Sequence, residues 1–256
     1  MLTIHQPNYW AYPGLIGKIM RSDKFLFLTK VQFDKSSWQN RNRIRVKEGW
    51  KYISVPVENK GKEGQLIADV QISNVTNWRN QHLNAIKFAY QKAPYYDTYF
   101  PFLKELYSRK WESLQELDIY ITNFVLQELG NKAEILYDRD FDFQGEKNEL
   151  LINICHELGE KEYMSNKGSE NYVDIGKFNN NGINHLYINY DGAEYSQVYP
   201  GFESGLSVLD MLLNCGAEKT REIVMDDNNY TFSEWNKKII TVSYTHLRAH
   251  ETDSYL

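Results

Sequence analysis

The feature that most constrains the fold is a strand, a helix and a second strand in close succession at the start of the chain. Residues 2–4 form a short apolar run that predicts a buried strand, and residues 24–33 predict another. Between them, Pro13 and Gly14 exclude an earlier helix start, whereas residues 15–20 place their apolar side chains on one helical face. This order favours a parallel sheet with helices packed against it.

Strands and helices continue to alternate along the chain. The predicted strands are a short one beginning at Ile44 and runs at 51–57, 66–72, 135–137, 161–164 and 185–190. The predicted helices are 77–93, 98–110, 113–129, 147–158, 206–215 and 218–224, with Gly216 ending the helix before it. We therefore expect an α/β fold with a mixed or mostly parallel sheet, flanking helices and an inserted helical block. The sequence predicts a single domain over residues 1–240, with the helical block at 77–130.

Residues 241–256, which read TVSYTHLRAHETDSYL, do not continue this pattern. They resemble the translated sequencing-adapter read-through seen in assembled metagenomic proteins, and we expect this tail to be non-native. His246 and His250 have the spacing of a helical metal-binding pair, but they lie within the tail. We expect them to carry no function.

Charge and composition exclude several classes of protein. The net charge of -5 is unlike that of proteins that bind duplex nucleic acid through a general positive field. No window approaches the roughly 18 apolar residues of a membrane span, and the chain opens without a secretory signal pattern. Cys155 and Cys215 are too few for a disulfide framework or a zinc site. We expect a cytoplasmic protein with no metal and no cofactor.

His5 and Gln6 follow the first predicted strand directly, and we take them as candidate catalytic residues. Side chains just past the carboxyl ends of strands are where open α/β sheets bind their ligands. A histidine there suits a general base or a donor to a developing oxyanion, and Gln6 would position the substrate. The alternative is a structural histidine bonded to the backbone.

A cationic and aromatic segment follows the second predicted strand. Two guanidinium groups on one face of an extended segment suit a phosphate, a diphosphate or a carboxylate, and a nearby indole suits stacking on a base or a sugar. A solvated, charged hairpin is the alternative. The candidate substrate-binding residues are Tyr9, Gln32, Trp38, Asn40, Arg41 and Arg43.

His82 lies on the predicted helix 77–93, on a largely apolar face with Trp78 and Ile86. A histidine in this setting is more often a core residue than a catalyst. As a candidate catalytic residue, it would assist His5 if the helical block closes over the site.

The segments IHQPNY, SDKFLFL, VQF, SSWQNRNRIR and YISVPV closely resemble the WbqC-like proteins. So do NWRNQHLNAIKFAYQKAPYY, ELGEKEYMSN and GLSVLDMLLNCG, and the resemblance runs in order from about Met1 to Glu218. The resemblance implies a role in surface-polysaccharide (O-antigen) biosynthesis. It also implies, as an attractive assignment, transfer of an acyl or aminoacyl group to an amino-sugar nucleotide.

On this hypothesis the substrate is a phosphate-bearing nucleotide sugar, and an acyl or aminoacyl carrier is a further partner. Two alternatives are a non-catalytic nucleotide-sugar or tRNA-acceptor binding module that partners another enzyme, and a scaffold protein of the assembly complex.

Overall fold

The computed structural model of the chain describes residues 1–58 and 61–233. The tail at 241–256 lies outside the described residues. The strands are β1 (Leu2–His5), β2 (Lys24–Phe27), β3 (Arg41–Val46), β4 (Gly49–Ser54), β5 (Glu134–Tyr137), β6 (Glu162–Asn166), β7 (Asn184–Tyr190) and β8 (Tyr230–Phe232). The helices are α1 (Pro13–Met20), α2 (Trp78–Tyr90), α3 (Tyr96–Ser108), α4 (Leu114–Glu128), α5 (Lys147–Glu157), α6 (Ile175–Asn180) and α7 (Val208–Met225).

The central sheet has the strand order β5-β2-β1-β6-β7-β8. Its strands are parallel except β8, which runs antiparallel to β7. This confirms the predicted α/β fold with a mixed, mostly parallel sheet. The chain leaves β1 towards β2 on one side, and β6 later pairs with the other side of β1. The carboxyl ends of β1 and β6 therefore meet where the strand order reverses, which is the usual ligand position in such sheets.

The sheet is covered on both faces because successive side chains of a strand point to opposite sides. In β2, Phe25 and Phe27 pack into the large core formed with α1, α7 and the helices of residues 77–130. Leu26, and Leu28 just after the strand, pack against α5 and α6 on the other face. Within the described residues, no helix is long and apolar enough to cross a membrane.

Two predicted strands were wrong in extent or type. The strand predicted over 24–33 ends at Phe27, because the buried Asp138 carboxylate binds backbone N–H groups that would otherwise continue the sheet. It accepts hydrogen bonds from the N–H groups of Thr29 (2.5 Å) and Lys30 (2.6 Å). Residues 66–72, predicted as a strand, contain instead a 3-10 turn at Ile67–Asp69 with isolated bridges on either side.

Helix α7 is interrupted at Gly216, as the sequence predicted. Gly216 has φ 74° and ψ 176°, which a residue with a side chain rarely adopts. The Tyr95 ring also occupies the space that a Cβ atom would need. The break follows from both constraints.

Candidate active site

A cavity of about 630 Å³ lies beside the carboxyl end of β1 and against α5. We call it the His5 pocket. His5 and Gln6 line it, together with Lys147 and Tyr172. Its apolar lining comes from Ile4, Leu28, Val31, Leu150 and Leu151. A mostly apolar cavity with a few polar groups at a sheet edge is the usual form of a small-molecule site.

The hydrogen bonding of His5 fixes which of its ring nitrogens carries the proton. Nδ1 lies 2.8 Å from the carbonyl oxygen of Gln6. A carbonyl only accepts, so Nδ1 is the donor and Nε2 holds the lone pair. Burial, and secondarily the positive charge of Lys18, lower the pKa of His5 to about 3. The imidazole is therefore neutral at physiological pH, with an unprotonated lone pair on Nε2.

Lys18 is a functional candidate that the sequence reasoning missed. It lies on α1 with only 1% of its surface exposed. Burial lowers the pKa of its ammonium to about 7. In the sequence it looks like an ordinary helix-surface cation between Gly17 and Ile19. Its one signal is a lysine within an otherwise apolar helix, PGLIGKIM.

The loop after His5 is bonded directly to residues 38–42, which lead into and begin β3. Gln39 donates a hydrogen bond from Nε2 to Oε1 of Gln6 at 2.6 Å. The backbone N–H of Tyr9 donates to the carbonyl of Trp38 at 3.2 Å. Asn42 donates from Nδ2 to the carbonyl of Trp10 at 2.9 Å. The two halves of the predicted site therefore touch the same loop.

Arg41 and Arg43 lie on one face of β3, opposite Ser54 and Tyr52 of β4. The Arg43 guanidinium lies over three rings, at 4.0 Å from the centroid of Trp50, 5.3 Å from Trp38 and 5.5 Å from Tyr52. Arg41 lies 5.1 Å from the Tyr52 ring. These five side chains form a cationic, aromatic surface that we call the arginine–aromatic patch.

The patch retains cationic groups without anionic partners. Among the described residues, no carboxylate lies within salt-bridge distance of Arg41 or Arg43. The Nε atoms of both are buried without a hydrogen-bond acceptor. Trp38, Trp50 and Tyr52 are 41%, 37% and 39% exposed, so their rings remain accessible to a ligand. An anion attached to a flat ring is the ligand chemistry that fits this surface.

Trp50 and Tyr52 were not among the predicted site residues. Their place in the patch depends on the cross-strand register, which pairs Arg43 with Tyr52 and Arg45 with Trp50. The signal available in the sequence was the pattern Trp50-Lys51-Tyr52 shortly after the Arg41-Asn42-Arg43 pattern. Side chains alternate between the two faces of each strand, so Arg41 and Arg43 share a face with Trp50 and Tyr52 once the strands pair.

His82 and Tyr9 lie in the core and do not line the His5 pocket. Tyr9 is fully buried, and its hydroxyl lies 2.9 Å from Nδ1 of His82 and 2.6 Å from the hydroxyl of Tyr107. Trp10 donates from Nε1 to the same Tyr107 hydroxyl at 3.0 Å. Burial lowers the pKa of His82 to about 4. This network fastens α2 and α3 to the loop after His5.

The last two predicted site residues, Asn40 and Gln32, lie away from the His5 pocket. Asn40 donates from Nδ2 to the Val55 carbonyl at 2.9 Å, which joins the hairpin to the segment after β4. Gln32 is exposed and forms an isolated backbone bridge to Leu66. Neither lines the His5 pocket.

A buried pair of Ser165 and His185 looks like a nucleophile and its base, but the hydrogen-bond directions exclude that role. Ser169 donates to the Asn166 carbonyl at 2.7 Å, so it accepts from Ser165, 2.7 Å away. Ser165 in turn accepts from Nε2 of His185 at 2.9 Å. A general base must accept the serine proton rather than donate to it. The chain of bonds is structural.

Asp210 is linked to strand β3 through the hydroxyl of Tyr90. Its carboxylate is fully buried and accepts hydrogen bonds from the hydroxyls of Tyr90 and Tyr195, each at 2.7 Å. The Tyr90 hydroxyl also accepts from the backbone N–H of Arg45 at 2.8 Å. Ser207 occupies the N-cap position of α7, but its side chain makes no capping hydrogen bond.

Comparisons with known proteins agree with the resemblance seen in the sequence. The chain is 32% identical over 219 residues to the uncharacterized protein Rv1507c of Mycobacterium tuberculosis, covering 85% of this chain and 94% of that protein. No solved structure matches the chain significantly. The model of the WbqC-like protein family matches residues 6–222, a span that includes Gln6, Lys18 and the whole arginine–aromatic patch. The chain belongs to the WbqC-like protein family.

Proposed function

We propose that the protein is a transferase of surface-polysaccharide (O-antigen) biosynthesis that moves an acyl or aminoacyl group to the amine of an amino-sugar nucleotide. The observation that carries this proposal is His5. Its Nδ1 proton is committed to the Gln6 carbonyl, so Nε2 is the basic atom of a residue that lines the pocket at the carboxyl end of β1. A neutral imidazole can accept a proton during group transfer, and in the proposed reaction the bound substrate would raise the lowered pKa of His5 towards the operating pH.

In the proposed reaction the amine nitrogen of the acceptor attacks the carbonyl carbon of the acyl group. The bond from that carbon to its carrier breaks, and an amide bond forms in its place. The proton lost by the nitrogen passes to Nε2 of His5, while Gln6 orients the acceptor. Since Gln39 already bonds to Oε1 of Gln6, the Gln6 amide nitrogen is the group directed to substrate.

The arginine–aromatic patch supports the nucleotide part of the proposal. Arg41 and Arg43 would bind the diphosphate, and Trp38 would stack on the base or sugar, with Trp50 and Tyr52 extending the stacking surface. Arginine binds phosphate oxygens through paired N–H groups, and indole and phenol rings stack on flat or ring-shaped ligands. No metal or cofactor takes part in the proposed step.

The arrangement of the patch also favours a second candidate function, a non-catalytic nucleotide-sugar binding module that partners another enzyme. The patch residues do not line the His5 pocket, although the two regions share a loop. A binding module would need the patch but not the basic nitrogen of His5.

The proposal is tested by screening nucleoside diphosphate sugars, with and without an amine, for thermal stabilisation and for product mass after addition of acyl and aminoacyl donors. We expect an amino-sugar nucleotide to raise the melting temperature and to gain the mass of the transferred group. Stabilisation without any product across the donors would favour the binding module. Absence of both would contradict both functions.

Arg43→Ala should weaken binding of the stabilising nucleotide sugar by about 10- to 100-fold, because it removes a charge-assisted contact. The matched control is Arg139→Ala, since Arg139 is an exposed arginine outside the patch that also lies over a tyrosine ring. Equal affinities of the two variants, measured by titration calorimetry, would remove the patch from the proposal.

A further inference from the structure

The side chains that line the His5 pocket are mostly aliphatic, and they come from both the sheet and α5. Ile4 on β1 and Leu28 just after β2 lie on the sheet side, whereas Leu150 and Leu151 lie on α5. Together with Val31, they belong to the apolar cluster on the α5 face of the sheet. Val31, Leu150 and Leu151 are only half-buried, so they present apolar surface that a ligand could remove from water.

The charges of the lining restrict which ligand groups can enter the pocket. Among the described residues that line it, none is a carboxylate, and Lys147 is the one with a charged side chain. His5 is neutral, because burial lowers its pKa to about 3. A ligand ammonium would therefore lose water near a lysine without gaining an anionic partner. Burial of an unpaired charge is unfavourable, so the pocket disfavours a cationic ligand group.

The polar groups of the pocket are those that the proposed reaction already uses. His5 and Gln6 follow one another at the end of β1, and both line the cavity. Because Oε1 of Gln6 accepts from Gln39, the Gln6 amide nitrogen remains to donate to a ligand oxygen. An acyl group has a polar carbonyl at one end and a hydrocarbon chain at the other. Its two ends match the polar and aliphatic parts of this lining.

We propose that the His5 pocket binds the hydrocarbon chain of an uncharged aliphatic acyl group, and that the transferred group is therefore acyl rather than aminoacyl. This inference rests on the proposed function and selects between the two donor classes that the function leaves open. An aminoacyl group would bring an α-ammonium beside the carbonyl, where the lining offers no carboxylate. The cavity of about 630 Å³ lies within the range of small-molecule sites and has room for a chain of several carbons.

The test compares the binding of small amides that represent the acyl group of the product, by NMR titration of the full chain at pH 6. Acetamide, butanamide and hexanamide form a series of increasing chain length. L-Norleucinamide has the carbon skeleton of hexanamide with an added α-amino group, which is protonated at this pH. We expect affinity to rise about two- to fourfold for each added CH₂ group. L-Norleucinamide should bind at least about 10-fold more weakly than hexanamide.

A pair of leucine variants locates the binding in the pocket. Leu151→Ala should weaken hexanamide binding by about 3- to 10-fold, because it removes aliphatic surface from the lining. The matched control is Leu158→Ala, since Leu158 is a half-buried leucine at the end of the same helix that does not line the pocket. We expect the control to bind hexanamide as the unmodified chain does. The chain-length series on the unmodified protein decides the matter if either variant fails to fold.

These titrations contain no nucleotide and no turnover, so they separate the inference from the proposed function. Preferential binding of hexanamide supports the inference even if no transfer is found. Three results would each overturn it, even if transfer to an amino-sugar nucleotide is measured. They are affinity that is absent or does not rise with chain length, L-norleucinamide binding as tightly as hexanamide, and hexanamide binding that a folded Leu151→Ala variant retains in full.

Discussion

Three ionisable side chains, the half-buried His5 and the buried Lys18 and Asp118, have pKa values shifted towards their neutral forms. Asp118 on α4 is fully buried, and neither carboxylate oxygen has a partner among the described residues. Burial raises its pKa well above the usual value of 3.8. His5 and Lys18 shift in the opposite direction for the same reason, since burial disfavours whichever form is charged. Of the three, only His5 lines the proposed ligand pocket.

Asp118→Asn should stabilise the protein at alkaline pH but not in acid. The pKa of Asp118 is raised in the folded state. Its contribution to the free energy of unfolding is therefore fully present below about pH 4, and it is lost as the pH rises through the folded-state pKa. The neutral amide avoids that loss, so we expect a gain of about 1–3 kcal/mol at pH 8 and little change near pH 4. Urea unfolding at both pH values measures this change in the free energy of unfolding. The control Glu116→Gln, exposed on the same helix, should show no such pH-dependent gain.

At the scale of elements, helix α1 connects the fold to the site. Its Gly17 lies against the Tyr230 hydroxyl and the Val224 carbonyl, with no space for a Cβ atom. Arg21, one turn later, donates to Gly17 and pairs with Asp227 at 3.0 Å. The helix is thereby held against β8 and the end of α7, in the position that buries Lys18.

Gly17→Ala should destabilise the protein by about 1–3 kcal/mol, because the added methyl group must displace backbone or a buried tyrosine. Gly168→Ala is the matched control, since a Cβ atom there meets nothing within 4 Å. We expect the control to lie within about 0.5 kcal/mol of the unmodified chain. A chemical denaturation series in which both variants behave alike would contradict the close packing of α1.

The elements that the sequence predicted well are those with a strong local pattern. Strand β1 is an apolar run, Gly130 follows the end of α4, and Gly216 breaks α7 as expected. The elements predicted poorly depend on distant partners. Strand β2 is shortened by Asp138, more than a hundred positions away in the chain. Residues 66–72 form a turn because Ile67 donates to the Val31 carbonyl at 2.9 Å instead of extending a ladder.

The candidate site follows the same division. Residue type and position after a predicted strand led to His5, Gln6, Arg41 and Arg43 as candidates, and their roles stay a prediction. The register that adds Trp50 and Tyr52 to the patch could not be read from one strand. The burial of Lys18 needed the packing of α1. His82 lies in the core, which is the alternative to a catalytic role that its apolar helix face already indicated.

At the scale of the whole molecule, a parallel sheet covered on both faces brings the end of β1 to the point where the strand order reverses. The His5 pocket lies on the α5 side, Lys18 comes from α1 on the other, and the β3–β4 hairpin meets both through the loop after His5. This geometry separates the proposed proton acceptor from the proposed nucleotide-binding surface by a few bonded residues. A ligand that engages both must be long enough to reach across this loop.

The central claim is that His5 is the base of a transfer reaction, and the rate of transfer by His5→Ala tests it most directly. We predict a single-turnover rate lowered about 100-fold or more, with the affinity for the nucleotide sugar unchanged within about twofold. With the pKa of His5 near 3 in the free protein, kcat/KM of the unmodified chain should not fall through His5 protonation between pH 5 and pH 7. A His5→Ala variant that transfers at the unmodified rate would contradict the account.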